Sequence, residues 1–538
     1  MRTRRYTSDQ TYILKRRPLT RLRACATSMR PSRATEVADS GDSDIVRYAY
    51  QMTTVVCMCW RVSVRLTAVL AVVTGAASLA APCSHAAEPV RVRVQSGVLV
   101  GVADNGVELF KGIPYAAPPV GPLRWTLPKP VVAWSGERAA DDFGASCMQP
   151  SVPRNVPTNS RAAQLSEDCL TLNVWAPQGV KKAPVMVWIH GGGNDSGSAA
   201  DQYYDGASFA RNGIVLVSLN YRLGMLGFQA HNGEANFGLW DQVAGLHWVQ
   251  ENIAAFGGDS GNVTLFGESA GGQDTLALMT ALPARGLFQK AIVESGGGGW
   301  SPPATLTAAQ TDHEGEGGPS VEGHLLKEPP LNAFAAGRVA PIPLIIGTNS
   351  EEGSLLGREA RTDGLFPKLS KDDVAHLATL YGSQAPNDDA LARLMFRDGY
   401  FAGEARWIAS RVSAAGAPAY LYRVEYIMSL LQRRRTGAYH GSEIPFVFEL
   451  WPTQLVDEND QRVGRALHDC WAAFARTGKP ACADAPDWPP VGQGKDIKWM
   501  VFDAHPSARP VEGAAALDLL QCRLAEGPVL ASASCAFK

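Results

Sequence analysis

A serine in the middle of the chain has the neighbours that nucleophilic chemistry needs. An apolar, β-branched run over 263–266 leads into Gly267-Glu268-Ser269-Ala270-Gly271, and a helical pattern follows over 273–282. The flanking glycines allow a strained strand-to-helix turn, because a Cβ at those points would clash with the neighbouring strand and helix. Such a turn exposes Ser269 at a helix N-terminus, where the helix dipole favours developing negative charge. The stretch predicts Ser269 as a nucleophile; an ordinary surface serine in a Gly-rich loop is the alternative, because the five-residue pattern often arises by chance.

A second glycine-rich stretch could stabilise the negative charge that attack on a carbonyl creates. The run 185–189 is nearly all apolar, as expected of a strand buried on both faces of a parallel sheet, and it ends in His190-Gly191-Gly192-Gly193. Glycines there let backbone NH groups approach a ligand without side chains in the way. We predict that the NH groups of Gly192, Gly193 and Ala270 form an oxyanion hole, with a flexible turn as the alternative.

An acidic residue and a histidine follow later strands. The apolar run 344–349 ends in Ser350-Glu351-Glu352-Gly353, and His440 lies in a loop after the predicted strand 419–426. In open α/β sheets the working groups gather beyond the carboxyl ends of the strands, so one of the two glutamates is well placed. The chain has ten histidines, and a lone histidine is usually structural or exposed. From the residues alone, only its position after the acid favours His440 as the base.

Strands and helices alternate around these residues. Further strands are predicted within 90–109, 170–175 and 214–221, and a helix over 239–252. The alternation predicts the α/β class, with a doubly wound, mostly parallel sheet and helices on both faces. An amphipathic helix predicted over 462–476 is expected to pack on the sheet edge. The Gly/Pro-rich stretch 296–319 is predicted to be a loop.

The composition is that of a globular protein with a large core. The 538 residues are 46% hydrophobic and 19% charged. Residues 1–86 hold 13 of the 50 Lys and Arg but 5 of the 52 Asp and Glu, so the remainder has a net charge of −10. A mildly acidic chain gives no electrostatic reason to expect nucleic acid as a partner.

The N-terminal segment predicts export. Two arginines precede an apolar run over 66–81 and a small-residue site follows it, so residues 58–87 are predicted to be a secretory signal peptide, cleaved after Ala86 or Ala87. A membrane anchor is the alternative, but the run is short for a span of about 20 residues. We therefore expect a periplasmic or secreted protein without a stable membrane span after signal cleavage.

The remaining segments are assigned from their composition. Residues 1–57 are Arg-rich and lack a hydrophobic period, and are predicted to be a non-native or disordered extension. Cys83 could indicate a lipoprotein, although Pro82 before it makes a poor lipidation site.

Residues 88–538 show no internal repeat or interdomain linker and are predicted to form a single domain. Their six cysteines are compatible with disulfides in an oxidising compartment, and none has metal-ligand spacing.

Five motifs follow one another in order along the chain from Phe110. They are Phe110-Lys111-Gly112-Ile113-Pro114-Tyr115, Ser166-Glu167-Asp168-Cys169-Leu170-Thr171-Leu172-Asn173, Asn220-Tyr221-Arg222-Leu223-Gly224, Phe256-Gly257-Gly258-Asp259 and 267–272. With these motifs the chain resembles the type-B carboxylesterases, in the carboxylesterase, lipase and cholinesterase family of α/β-hydrolases. The resemblance covers nearly all of the chain after the predicted signal peptide and implies the α/β-hydrolase fold.

The resemblance also implies a role for each candidate catalytic residue. Ser269 corresponds to the nucleophile, His440 to the base and Glu352 to the acid that orients the base. Glu352 is preferred to Glu351 because the family's acid directly precedes a glycine. The implied reaction is hydrolysis of small to medium carboxylic esters through an acyl-enzyme, with no metal and no organic cofactor. Because the base must be neutral in the free enzyme, activity should fall below a pH near the usual histidine pKa of about 6.5.

Further implications concern residues around the site. Ser295 and Glu443 are expected to form a polar layer behind the catalytic groups, and Cys147 is expected to form a disulfide with Cys169. A small-molecule ester is the expected partner. Acyl and alcohol specificity and oligomeric state stay open.

Three departures from the family pattern affect the expected activity. Asn194 replaces the aromatic residue that often follows the oxyanion glycines, which is expected to alter the acyl pocket, and Glu351 stands where the family usually has Asp. Only 83 positions separate Ser269 from Glu352, because the region 296–343 is short. This shortening predicts either a more open site or a deletion that weakens folding.

Two alternative functions remain on the same fold. One is an amidase, a carbamate hydrolase or a lipid hydrolase, which the fold does not separate from an esterase. The other is a catalytically weakened, cholinesterase-like binding protein. Such proteins typically lack a member of the triad, whereas this chain retains all three.

Overall fold

The computed structural model describes residues 88–298, 318–451, 454–482, 485–492 and 497–525. The predictions for 1–57 and for the signal peptide at 58–87 concern residues outside these ranges, as does most of the predicted loop 296–319. The described residues belong to one unit of the chain, 84–538.

Most of the strands form from short apolar runs separated by turns. They are β1 (Glu88–Val94), β2 (Gly97–Asp104), β3 (Val107–Pro114), β4 (Glu137–Ala139), β5 (Ser146–Cys147), β6 (Leu165–Ser166), β7 (Thr171–Pro177), β8 (Ala183–Ile189), β9 (Val215–Leu219), β10 (Gly258–Glu268), β11 (Lys290–Glu294), β12 (Leu344–Asn349), β13 (Ala419–Val424), β14 (Lys498–Phe502) and β15 (Ser507–Pro510). Every residue of β9, β11 and β12 is buried, as expected where helices cover both faces of a parallel sheet.

Thirteen of these strands form one sheet in the order β1-β2-β3-β7-β9-β8-β10-β11-β12-β13-β14-β15, with β4 beside β2. Pairing is parallel from β9 through β14. The strands β1, β2, β3 and β7 at one side, and β15 at the other, pair antiparallel. The predicted α/β class with a mostly parallel, doubly wound sheet is confirmed.

Along the chain, helices connect many of the strands in the parallel part of the sheet. The α-helices are α1 (Ala207–Arg211), α2 (Gly224–Phe228), α3 (Phe237–Asn252), α4 (Ala270–Thr280), α5 (Pro330–Ala335), α6 (Lys371–Tyr381), α7 (Asp388–Phe396), α8 (Gly403–Ala414), α9 (Ile444–Val447), α10 (Glu458–Thr477) and α11 (Ala514–Leu524). A π-helix, Arg397–Ala402, joins α7 to α8. Among the described residues, no helix is long and apolar enough to cross a membrane.

The two faces of the sheet carry two hydrophobic clusters. Along β8, Val187 packs in one cluster, together with α3, α4 and α8. Its neighbours Met186 and Trp188 pack in the other cluster, together with α1 and α10. This alternation follows from the two-residue period of a strand, and it places helices on both faces of the sheet.

Helix α10 covers the middle of the sheet, so the prediction that it packs on the sheet edge is wrong. Its apolar residues share a cluster with Trp188 of β8, Phe266 of β10 and Tyr422 of β13, and the helix contacts β8 and β10. A helix of 20 residues is about 30 Å long, whereas strands lie about 4.8 Å apart. Its apolar stripe is therefore long enough to cross several strands.

Two disulfides join pairs of described residues. The structure joins Cys147 to Cys169, the pair that the family resemblance implied. A second disulfide joins Cys470 of α10 to Cys482. Each bond closes a short loop and restricts the unfolded chain, which is the usual basis of disulfide stabilisation.

A buried ion pair connects the loop after β9 to helix α3. Arg222 donates from Nε and Nη2 to the two carboxylate oxygens of Asp241, at 2.7 Å each. The Arg222 backbone N also donates to Asp241, at 3.1 Å, and Nη1 donates to Thr126 O at 2.9 Å. Arg222 is 3% exposed and Asp241 is fully buried. Each charge is therefore compensated by the other in a place that water does not reach.

Candidate active site

The predicted catalytic residues follow strands that end at the same edge of the sheet. Gly267 of β10 pairs with Ile189 of β8 on one side and with Val293 of β11 on the other. Because these strands are parallel and in register, their carboxyl ends meet at one edge. The residues that come directly afterwards, including Ser269, therefore lie close to one another.

Ser269 sits on a strained turn between β10 and α4. Its backbone has φ 55° and ψ −124°, a conformation that side chains with a Cβ rarely adopt. A Cβ at Gly267 would lie 2.6 Å from Ile189 O, and a Cβ at Gly271 would lie 2.1 Å from the same oxygen. Only glycine fits at both positions. The turn leaves Ser269 half-buried at the N-terminus of α4, as the sequence pattern predicts.

Glu352 and His440 come together across 88 positions of the chain. Glu352 Oε2 lies 2.6 Å from His440 Nδ1. The other oxygen of Glu352 accepts hydrogen bonds from Ser295 Oγ at 2.6 Å, Thr348 Oγ1 at 2.8 Å and Asn349 N at 2.7 Å. Burial raises the pKa of Glu352, but His440 and these donors outweigh burial and leave the pKa below its usual value. Glu352 is therefore an anion held beside the imidazole.

Glu351 has a different place. It forms an isolated β-bridge with Tyr439, and its backbone N donates to Ala438 O at 2.8 Å. This bridge holds the loop that carries His440 against the end of β12. The structure thus brings Glu352, and not Glu351, to the histidine.

The second ring nitrogen of His440 faces the strained turn. His440 Nε2 lies 3.2 Å from Glu268 Oε1, the carboxylate that directly precedes Ser269. Nε2 forms no hydrogen bond with any described residue, so the hydroxyl of Ser269 is not bonded to it in this conformation. Catalytic hydrogen bonds often form only when substrate binds.

The buried carboxylates around His440 change its protonation. Burial lowers the pKa of His440, but the charges of Glu268 and Glu352 outweigh burial and raise this pKa well above its usual value. For Glu268, burial has the opposite sign and raises the pKa, although the charge of His440 lowers it. The imidazole is thus held between two carboxylates, one at each ring nitrogen.

A comparison with known protein families identifies the family to which the chain belongs. The model of the carboxylesterase family matches residues 88–305 and 382–517. The chain belongs to the carboxylesterase family. It is accordingly a carboxylic ester hydrolase, as the resemblance predicted.

Relatives of this carboxylesterase include two bacterial esterases. It is 35% identical over 470 residues to fumonisin B1 esterase of Sphingopyxis macrogoltabida, covering 75% of this chain and 85% of that protein. It is also 35% identical over 465 residues to para-nitrobenzyl esterase of Bacillus subtilis (strain 168), covering 74% of this chain and 92% of that protein. A solved carboxylesterase of Geobacillus stearothermophilus aligns with a TM-score of 0.69 at 31% identity, over 80% of this chain and 100% of the other.

The family match contains two of the three predicted catalytic residues. Ser269 and His440 lie inside the matched ranges, whereas Glu352 lies in the gap between 305 and 382. The assignment of Glu352 in this carboxylesterase therefore rests on its 2.6 Å contact with His440 and on its position before Gly353.

The polar layer behind the site contains Glu443 and Asn349. Both side chains are fully buried. The Asn349 amide donates to Glu443 and, at 2.9 Å, to Tyr439 O. Burial raises the pKa of Glu443 to about 8. Asn349 was missed by sequence reasoning, although its place at the end of a buried strand was a usable signal.

Two other neighbours of His440 had no signal in the sequence. The ring of Phe401, on the π-helix, lies 5.4 Å from the imidazole between centroids, and Glu268 contacts its Nε2. Phe401 approaches from a separate helix, and Glu268, at the end of β10, meets the His440 loop only in the folded protein. Short-range patterns do not report such contacts.

The glycine loop after β8 is exposed, whereas the side chain of the next residue, Asn194, is buried. Gly192 and Gly193 have positive φ values of 109° and 65°, and both are exposed. The side chain of Asn194 turns into the protein and is 1% exposed. Buried hydrogen-bond partners hold the Asn194 side chain inside the protein, and the expectation that the replacement of the aromatic residue alters the acyl pocket stays a prediction.

Proposed function

We propose that this carboxylesterase cleaves small to medium carboxylic esters through an acyl-enzyme formed on Ser269. The observation that carries the proposal is the buried Glu352–His440 pair, whose Nε2 lies beside Glu268, the residue directly before Ser269. A nucleophile, a base and a group that orients the base are the parts that serine-dependent acyl transfer needs.

The proposed reaction has two steps. His440 Nε2 takes the hydroxyl proton as Ser269 Oγ bonds to the ester carbonyl carbon, and Glu352 holds the proton on Nδ1. The NH groups of Gly192, Gly193 and Ala270 bind the oxyanion. The C–O bond to the alcohol breaks, and the alcohol leaves with the proton from His440. Water then attacks the acyl-enzyme by the same route, and the acid leaves.

Relative rates on different substrates test the substrate class. We expect kcat/KM to be highest for short-chain esters, such as para-nitrophenyl butyrate, because the exposed glycine loop and the short sequence of 296–343 favour a shallow site. A long-chain ester and an anilide with the same acyl group are the comparison substrates. An anilide faster than the matched ester would favour the amidase alternative, and a long-chain ester faster than butyrate would favour the lipid hydrolase.

The pH dependence of activity depends on Glu268. Because its carboxylate favours protonated His440, the base stays inactive up to a higher pH, and kcat/KM should rise with pH at a midpoint above 6.5. In Glu268→Gln the pKa of His440 falls, so the midpoint should move down by about 1 to 3 pH units, the usual effect of one nearby opposite charge. The measurement is kcat/KM from pH 5 to 10 with an uncharged ester.

A buried glutamate at the end of β11, bonded to Trp471, supplies the control. Glu294→Gln removes a fully buried carboxylate whose Oε1 accepts from Trp471 Nε1 at 2.7 Å. This change should move the midpoint much less. Equal shifts in the two variants would contradict a direct effect of Glu268 on His440.

We also propose that the protein is exported to the periplasm or the medium. The support is the signal-peptide pattern over 58–87, together with two disulfides of a kind that persists in oxidising compartments.

A further inference from the structure

Asn194 follows the two glycines of the proposed oxyanion hole and is bonded at both ends of its amide. Its Nδ2 donates to Asp274 Oδ1 at 3.1 Å. Its Oδ1 accepts from the hydroxyl of Tyr221 at 3.1 Å. Its backbone O accepts from Gly224 N at 2.7 Å. Two separate parts of the chain, the segment after β9 and helix α4, therefore hold this one residue.

The partners of Asn194 are themselves fixed. Asp274 is fully buried, and its second oxygen accepts from Gln242 Nε2 on α3 at 2.5 Å. The Tyr221 hydroxyl shares its one proton between Asn194 Oδ1 and His190 O, which lies 2.8 Å away. The Tyr221 ring stacks on the His190 ring with 4.6 Å between centroids. His190 is the first residue after β8, so Tyr221 contacts the glycine loop at its beginning and, through Asn194, at its end.

Asp274 and Ala270 belong to the same helix. Ala270 is the first residue of α4, and Asp274 lies one turn later. The bond from Asn194 to Asp274 therefore connects the loop that carries the NH groups of Gly192 and Gly193 to the helix that carries the NH of Ala270. Donors that act together on one oxyanion must keep their mutual distances, because a misplacement of about 1 Å can cost about 100-fold in rate.

We propose that Asn194 is a positioning residue that fixes the three oxyanion donors relative to one another through Asp274 and Tyr221. The inference rests on the proposed function of Ser269. It assigns Asn194 to the donors of the site and not to the pocket for the acyl chain.

The positive φ of Asn194 does not by itself explain why an asparagine occupies this position. Asn194 has a φ of 60°, and Asn105 and Asn232 have similar values of 48° and 51°, which asparagine tolerates better than most residues. Those two residues are exposed, whereas Asn194 is 1% exposed and bonded through both amide atoms. An apolar residue at 194 would leave Asp274 Oδ1 without its donor. Burial already raises the pKa of Asp274 to about 7, in spite of the hydrogen bonds from Gln242 and Asn194.

The test compares Asn194→Gly with Asn105→Gly. Glycine adopts the same φ, so both variants keep the backbone conformation, but only Asn194→Gly loses the bonds to Asp274 and Tyr221. For Asn194→Gly we expect kcat on para-nitrophenyl butyrate to fall by about 10- to 100-fold, with KM changed less than about 2-fold. Asn105→Gly should match the wild type.

Binding of a butyl trifluoromethyl ketone separates positioning from stability. Ser269 Oγ adds to the ketone carbonyl, the proton passes to His440, and the hemiketal oxyanion occupies the place of the reaction's oxyanion. The ketone Ki should rise in Asn194→Gly by the same factor as kcat/KM falls. A lower unfolding midpoint with unchanged kcat and Ki in the folded protein would overturn the proposal.

An exchange of the two side chains keeps the test decisive if the glycine variant folds poorly. In Asn194→Asp the two carboxylates face each other, so kcat should fall. In Asn194→Asp combined with Asp274→Asn the donor and acceptor are reversed and the bond can form again, so kcat and Ki should recover most of the loss. No recovery in a folded double variant would contradict the role of the pair. A wild type that neither turns over esters nor binds the ketone would instead overturn the proposed function.

Discussion

Replacing Ser269 with alanine should lower kcat for para-nitrophenyl butyrate by on the order of 10⁶-fold, which is the loss expected when a serine nucleophile is removed. The remaining rate would come from binding and the oxyanion donors alone. The chain should start at Ala87, and turnover should be measured with active-site titration. A fluorophosphonate should label the wild type on Ser269, by displacement of fluoride, and should leave Ser269→Ala unlabelled.

A neighbouring serine supplies the matched control. Ser295 also follows a parallel strand directly, has a positive φ of 47° and donates to Glu352 Oε1 at 2.6 Å. Glu352 keeps its other donors in Ser295→Ala, so kcat should fall by about 10-fold, in line with the loss of one hydrogen bond to a charged group. Similar losses in both variants would argue against a nucleophile at Ser269.

The wild-type rate also decides between an enzyme and a binding protein. If the folded wild type were as inactive as Ser269→Ala, the short region 296–343 would have disabled the site. A cholinesterase-like binding function would then be better supported than an esterase function.

Replacing Asp241 with asparagine should lower the free energy of unfolding by about 3–5 kcal/mol, because it leaves the buried charge of Arg222 without a counter-charge. Asparagine keeps the shape of the side chain and one acceptor oxygen, so the expected loss is electrostatic and not a cavity effect. The loss should appear as a lower midpoint in urea unfolding with the disulfides intact, with the slope of the transition unchanged.

An exposed pair of the same chemical type is the control. Arg91 and Glu137 lie 2.6 Å apart, but their side chains are 55% and 51% exposed. Glu137→Gln should leave the unfolding midpoint unchanged within error, because water solvates both charges when the pair is broken. A loss as large as that in Asp241→Asn would show that burial is not the reason for the difference.

Local chemistry explains which features the sequence could predict. The turn at Ser269 needs glycines at fixed positions beside it, and the order of acid and histidine follows the order of the strands. The apolar runs likewise predict the parallel strands, because both faces of each strand are buried.

Features that depend on long-range packing were not predictable in the same way. Helix α10 has a clear apolar stripe, but the stripe does not say which part of the sheet it covers. Asn194 stands where the family often has an aromatic residue, and its inward direction depends on Asp274, 80 positions later. The contact between Glu268 and His440 depends on two backbones that meet only in the folded protein.

The backbone at Ser269 has a consequence for stability as well as for chemistry. A residue with a Cβ at φ 55° and ψ −124° lowers the free energy of unfolding by on the order of 1–3 kcal/mol. The folded state is therefore less stable than it would be with glycine at this position. The rest of the sheet has to supply that difference, since both neighbouring strands hold the turn in place. The strain at Ser269 thus lowers the free energy of unfolding of this carboxylesterase while it exposes one hydroxyl. The proposed nucleophile therefore stands at a position where the backbone conformation is unfavourable for serine.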